Sequence, residues 1–267
     1  MTKKMKILLP TDFSENSLKS IDYAIYIFGI QEVQYHLLHT FEIISTRASV
    51  SFGGLKNQIE KQADENLCNL NNDIIQKYPS IQISQQHQYG ALSDIINTLE
   101  KDSFDYIIMG TKGSTGLKEV FLGSNTWDVI SNTSIPVIAV PQEVDFKQNK
   151  KLLFALDPYK LPSQKVIQSL LKIEKKKHFE ILLFAVKNKE NFDVNEINEL
   201  FKGIEFKLII VENEDVVNSI ETYQQQNQID LLVMVNQQRS FWENLFHSSI
   251  TKKLTFHTKS PLLTFKD

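Results

Sequence analysis

Gly110-Thr-Lys-Gly113-Ser-Thr-Gly116 and the following Gly123-Ser124 place four of the chain's nine glycines within fourteen residues. Glycine lets backbone approach a ligand closely and take up positive φ. Gly110 and Gly113 frame a short turn whose N–H groups can face an anion. Gly123-Ser124 opens a helical segment, and the free N–H groups and dipole of a helix start also favour negative charge. Ser124 and Thr126 offer hydroxyls in the same first turn, and Lys112 adds positive charge. These residues suit a phosphate chain; loop geometry without a ligand would also use the glycines. Phosphates would repel the Asp12 carboxylate. Asp12 therefore suits an acceptor for ribose hydroxyls or a base, a helix cap, or both. Neither GxxxxGK[ST] nor a GxGxxG after the first strand occurs, so a P-loop and a dinucleotide Rossmann site are excluded.

The elements that must position these residues follow from hydrophobic periodicity. Short apolar runs predict strands at Met5–Leu9, Val33–Phe41, Asp105–Met109 and Pro136–Val140, and the alternation of Ile81 and Ile83 predicts another. Leu18, Ile21, Ile25 and Phe28 recur at helical spacing, capped by Asp12 or Ser14. Leu55, Ile59, Ala63, Leu67 and Leu70 predict a long amphipathic helix. Ala91–Leu99 and Ser124–Ser131 complete the set. Strands alternating with helices imply a parallel sheet with right-handed crossovers and helices on both faces. In strand order 3-2-1-4-5, Asp12 and Gly110 stand on opposite lips of the crevice where the winding reverses.

The pattern then repeats. Lys151–Asp157 resembles Lys6–Asp12, and Asp230–Met234 resembles Asp105–Met109. A constant shift of 125 lays Phe121 on Phe246, Ser124 on Ser249, Thr126 on Thr251 and Pro136 on Pro261. The aspartates Asp12 and Asp157 differ by 145, so the first half carries about twenty extra residues, placed around Ser45–Asn66. Two tandem units are expected, 1–144 and 149–267, joined by a polar junction at Gln142–Lys150. The shift puts Val235, Gln238 and Ser248 where the first unit has Gly110, Gly113 and Gly123, so the second phosphate site is read as degraded.

Pro10-Thr11-Asp12-Phe13-Ser14-Glu15, with Gly110-x2-Gly113-x9-Gly123-Ser124, resembles the universal stress protein family, whose nucleotide-binding signature is the second pattern. Ile107-Ile-Met109 and Ser134-Ile-Pro-Val-Ile-Ala-Val-Pro141 also look like it. The resemblance covers both halves. It implies two tandem doubly wound α/β domains, each a five-stranded parallel sheet, ATP as ligand with Mg2+ as an optional companion, and intrachain pairing of the domains through their last strands. It implies that Pro10, Asp12 and Thr40, with Thr11 on the same turn, lie near adenine and ribose. Met109, Gly110, Lys112 and Gly113 would line the phosphates with Gly123, Ser124, Asn125 and Thr126. Gly90, before a helix start, would border the ribose.

The net charge of −3 predicts no general attraction to nucleic acid or anionic membrane. The N-terminal apolar run ends at Pro10, too short for a signal peptide, and no segment approaches a membrane span in length. One cysteine, Cys68, fits a reducing interior and is read as half-buried or buried; a cytoplasmic protein is expected. His36 and His39 lie three apart on a strand, hence on opposite faces, and cannot share a metal. Lys175–Lys177 and His178 suit a helix C-terminus. Trp242, Phe241 and Phe246 are assigned to core packing or to a contact with the other domain or a partner. No group beyond Glu119 stands out as a base for hydrolysis. The reading is a regulatory nucleotide-binding module. A slow ATP hydrolase and a nucleotide-free interaction protein are the alternatives, and a homodimer is open.

Overall fold

The computed structural model describes residues 4–42, 52–99, 103–111, 122–146, 150–187, 193–213, 215–237 and 260–267. The first half contributes β1 (Met5–Pro10), α1 (Glu15–Phe28), β2 (Val33–Phe41), α2 (Phe52–Lys77), β3 (Ile83–Tyr89), α3 (Leu92–Thr98), β4 (Tyr106–Gly110), α4 (Ser124–Asn132) and β5 (Val137–Val140). The second contributes β6 (Lys151–Leu156), α5 (Gln164–Lys177), β7 (Glu180–Lys187), α6 (Val194–Leu200), β8 (Phe206–Glu212), α7 (Val216–Asn227), β9 (Leu231–Asn236) and β10 (Leu262–Lys266).

The strands form one sheet in the order β3-β2-β1-β4-β5-β10-β9-β6-β7-β8. Each half has the predicted 3-2-1-4-5 order. Pairing is parallel within each half, and β10 runs antiparallel to β5 with Leu263 opposite Ile138. β1, β4, β6 and β9 are nearly all apolar because helices cover both sheet faces. One core layer packs under α1, α2, α5 and α6, around Phe28, Tyr35, Phe154 and Phe201. The other packs under α3, α4 and α7, around Met109, Ile130, Phe184 and Ile220. Each large apolar side chain so buried contributes about 1.5–3 kcal/mol.

Local sequence explains the helix ends. Ser14 caps α1 by accepting from the Ser17 amide, and Gly29 closes it at φ 70°. α5 has the same 14-residue length, starts after Ser163, and ends on left-handed His178 behind Lys175–Lys177. A shift of 149 superposes both pairs of caps. The surplus of the first half lies largely in α2, 26 residues against 7 in α6.

Several expectations are corrected. Ile81 precedes β3 rather than belonging to it. Leu18 is 39% exposed, because α1 packs through Ile21, Ile25 and Phe28. Cys68 is exposed, one residue beyond buried Leu67 on the solvent side of α2. The junction is not a solvated tether throughout: Val144 is buried, and the Phe146 ring stacks on Tyr26 at 5.4 Å. The halves also meet where Tyr106 Oη donates to the Ser169 carbonyl and Lys172 pairs with Asp105 at 2.8 Å. Lys177 lies 3.5 Å from the Tyr26 ring centroid.

Candidate functional site

The carboxyl ends of β1 and β4 lie side by side, and the crossovers leave them in opposite directions. A cleft of about 350 Å³ opens between them. It is lined by Pro10, Thr11, Asp12, Thr40, Met109, Gly110, Gly123, Ser124, Asn125 and Thr126, together with Ser17, Leu38 and Leu92. Ten of the twelve residues singled out in the sequence therefore converge. The other two, Lys112 and Gly113, lie outside the described residues, as do Gly116, Lys118 and Glu119. Gly90 does not line the cleft. Its φ of 134° explains a glycine there, as does the Ile95 side chain, which would lie 3.3 Å from a Cβ at that position.

The β1–α1 turn is locked by its own side chains. Asp12 Oδ1 accepts from the Ser14 amide at 3.1 Å and from Ser14 Oγ at 2.5 Å, so it braces the cap residue while Ser14 caps the helix. Thr11 is 6% exposed; its hydroxyl accepts from the Phe13 amide and bonds to Ser17 Oγ. Phe13 takes φ 62°, uncommon without glycine, and its ring sits 4.6 Å from that of His39. His39 Nδ1 lies 2.8 Å from the Thr11 carbonyl, which can only accept, so Nδ1 carries the proton.

The β4 end shows a different use of glycine from the one expected. Gly110 has no positive φ. A Cβ there would lie 2.7 Å from Asn16 Oδ1 and 3.0 Å from the Asn16 carbonyl oxygen. Asn16, 3% exposed, also donates from Nδ2 to the Val140 carbonyl at 3.0 Å. That carbonyl accepts the Thr111 amide as well. Gly110 thus lets α1 close down on the ends of β4 and β5. Thr126, 3% exposed, spends its hydroxyl on the Gly110 carbonyl at 2.8 Å and so pins the first turn of α4 to β4. The Gly123 amide donates to the Thr111 carbonyl at 2.6 Å.

Part of the expected cradle is therefore used by the protein itself. What faces the cleft is the N-terminal turn of α4, led by exposed Ser124 and Asn125. Its cap residue, Gly123, has no side chain to satisfy the amides that a helix start leaves open. Negative charge suits this end of the cleft, and Leu38, Leu92, Pro10 and Met109 give apolar walls beside it. Sequence reasoning missed Asn16, Ser17, Leu38 and Leu92. Nothing in their spacing marks them, because the cleft brings them in from α1, β2 and α3.

His36 lies on the opposite face of β2 from His39. Its Nδ1 is 2.7 Å from Ser84 Oγ and its ring packs near Phe104, whereas His39 packs on Phe13. Burial, partly offset by Gln86, holds the His36 imidazole below its ordinary range.

The second half offers no matching geometry at β9. Val235, 4% exposed, fills the place of Gly110. Exposed Lys165 stands where α1 has Asn16, so the close approach that demands glycine is missing. Gln238, Phe241, Trp242, Phe246, Ser248, Ser249 and Thr251 lie outside the described residues.

Fold and cleft together define a doubly wound α/β protein built twice over, with the ligand position of such sheets open in the first half. The family model for the universal stress protein family matches residues 4–141, and the chain belongs to that family. Universal stress protein Slr1230 of Synechocystis is 27% identical over 97% of this chain and 99% of its own length. A universal stress protein structure from Archaeoglobus fulgidus covers 98% of both chains at 18% identity and a TM-score of 0.74. A universal stress protein solved in complex with cAMP aligns with 52% of this chain and 98% of its own at 19% identity and a TM-score of 0.39. No helix among the described residues is long and apolar enough to cross a membrane.

Proposed function

We propose that this chain is an ATP-binding regulatory module of the cytoplasmic stress response, with a single nucleotide site in the first of two tandem units, 1–144 and 149–267. The observation that carries the proposal is the cleft. It joins an uncapped helix start, a carboxylate and apolar walls at the switch point of a parallel sheet. The phosphates would lie against the α4 start, formed by Gly123, Ser124, Asn125 and Thr126, with Lys112 and Gly113 as further phosphate residues. The base and ribose would lie towards Pro10, Thr11, Asp12 and Thr40. The donor set fits such a group: the open amides of the α4 start and the Ser124 hydroxyl for phosphate oxygens, a carboxylate for ribose hydroxyls. Mg2+ would be held through the phosphates. The units would pair within the chain through β5 and β10.

Acid extraction of the purified protein tests this, with near one ATP per chain expected. Gly123→Val should weaken ATP binding by at least tenfold with an unchanged circular dichroism spectrum. A chain that takes up no nucleotide at millimolar ATP would overturn the reading.

A further inference from the structure

Each unit has a corner where its first helix ends over the starts of its outer strands, at the other end of the sheet from the nucleotide cleft. In the first unit Tyr35 pairs with Ile7 and Ile83; in the second Ile181 pairs with Leu152 and Phe206. That register puts Ile181 at the place of Tyr35 and, counting back from β8, Leu200 and Phe201 at those of Lys77 and Tyr78. The 149-residue shift puts Leu171 at Asp22 and His178 at Gly29. The first corner is filled. Buried Tyr35 donates its hydroxyl to the Gly29 carbonyl at 2.6 Å, and Lys77 and Tyr78 both bond to the Asp22 carboxylate, at 2.7 and 3.1 Å. The second corner has none of these groups. Phe201 turns into the core against Phe154 and Phe206, and among the described residues no side-chain hydroxyl reaches the His178 carbonyl. A cavity of about 840 Å³ is left between α5, the start of β7 and the turn from α6 to β8. Ile167, Leu171, Ile181, Leu200, Ile204 and Phe206 give it apolar walls.

We propose that this cavity is a second ligand site, for an uncharged aromatic molecule bearing a hydroxyl group, whose ring takes the place that Tyr35 fills in the first unit. Three observations select that class. The volume suits a small molecule, and such sites combine apolar walls with a few polar groups. The charges around the cavity cancel: Lys175, Lys202 and Lys207 are matched by Glu174, Glu180 and Glu205. Lys207 is already paired with Glu180, and Lys202 with Glu199. A charged ligand would give up its hydration for little return there, whereas a neutral phenol has far less to lose. The third observation is the acceptor. The last carbonyls of a helix have no partner within it. At the end of α1 the Gly29 carbonyl takes the phenol of Tyr35; at the end of α5 the His178 carbonyl offers the same position to a ligand hydroxyl.

The test needs no nucleotide, so it succeeds or fails independently of the proposed function. The full chain, labelled with nitrogen-15, is titrated at pH 7 with 2-naphthol, a phenol uncharged at that pH. The amide resonances of His178, Gly203 and Ile204 should shift and saturate by millimolar ligand, and that of Met109 in the nucleotide cleft should not. The methyl ether, 2-methoxynaphthalene, has no proton to donate and should bind at least fivefold more weakly. Ile181→Tyr rebuilds the side chain of the first unit and should abolish the shifts. Leu171→Asp, at a half-buried wall position, puts a carboxylate on the apolar surface and should weaken binding at least tenfold. Absence of saturable shifts at His178, Gly203 and Ile204 overturns the site, as do shifts confined to Met109 or shifts that survive unchanged in both variants. Equal affinity for 2-naphthol and its ether overturns the assignment of a hydroxyl-bearing ligand. Should Ile181→Tyr fail to fold, Leu171→Asp decides alone.

Discussion

At the scale of single residues, the cleft depends on contacts that no motif displays. Gly110 is required by Asn16, and Gly110→Ala is expected to cost about 1–3 kcal/mol through overpacking, read as a lower urea midpoint. The backbone oxygen of Asn16 at 3.0 Å cannot swing aside as a side chain could. Thr126→Val keeps the shape of the side chain but strands the buried Gly110 carbonyl. A loss of about 1–3 kcal/mol is expected from denaturation curves. An unchanged midpoint in either variant would show that the β4–α4 corner relaxes freely. His36 acts on pH dependence. Its folded pKa lies below the unfolded one, so its contribution is present above the ordinary histidine range and lost as pH falls through the folded value. His36→Gln should flatten the urea midpoint against pH across that window.

At the scale of elements, α1 holds the site together. Its first turn carries Ser14, Asn16 and Ser17, which reach the Asp12 carboxylate, the Val140 carbonyl and the Thr11 hydroxyl respectively. Asn16→Ala removes the link between the ends of α1 and β5. It should weaken nucleotide binding along with stability, because the Gly110 backbone loses its backing; calorimetric titration with ATP beside thermal unfolding would separate the two effects. α4 contributes its start alone, and Gly123 matters there because no side chain caps or covers the open amides, which valine would cover, rather than for positive φ, its φ being −58°.

At the scale of the whole molecule, the ten-stranded sheet hides two edges that separate halves would expose. β5 is buried throughout and pairs with β10 through Val137, Ile138 and Ala139. Residues 1–146 made alone should therefore associate through that edge and elute as a dimer by light scattering. A stable monomer would mean that the edge is covered in some other way. The outer edge at β3 differs from the inner ones: it carries Ser84, Gln85, Gln86 and Gln88.

The sequence by itself determined the strand and helix order, the duplication, and the segments that meet at the cleft. Period-2 and period-3.6 patterns and glycine spacing are local signals, and parallel crossovers then admit few topologies. Tertiary structure decided what those residues do. Thr126 and the Gly123 amide, read as ligand donors, bond to the chain itself, and Gly110 makes room for a helix. The packed junction at Phe146 also emerges only in three dimensions. Hydrogen bonds and close contacts between the ends of different elements leave no periodic trace in the chain, since each depends on where two backbones happen to end.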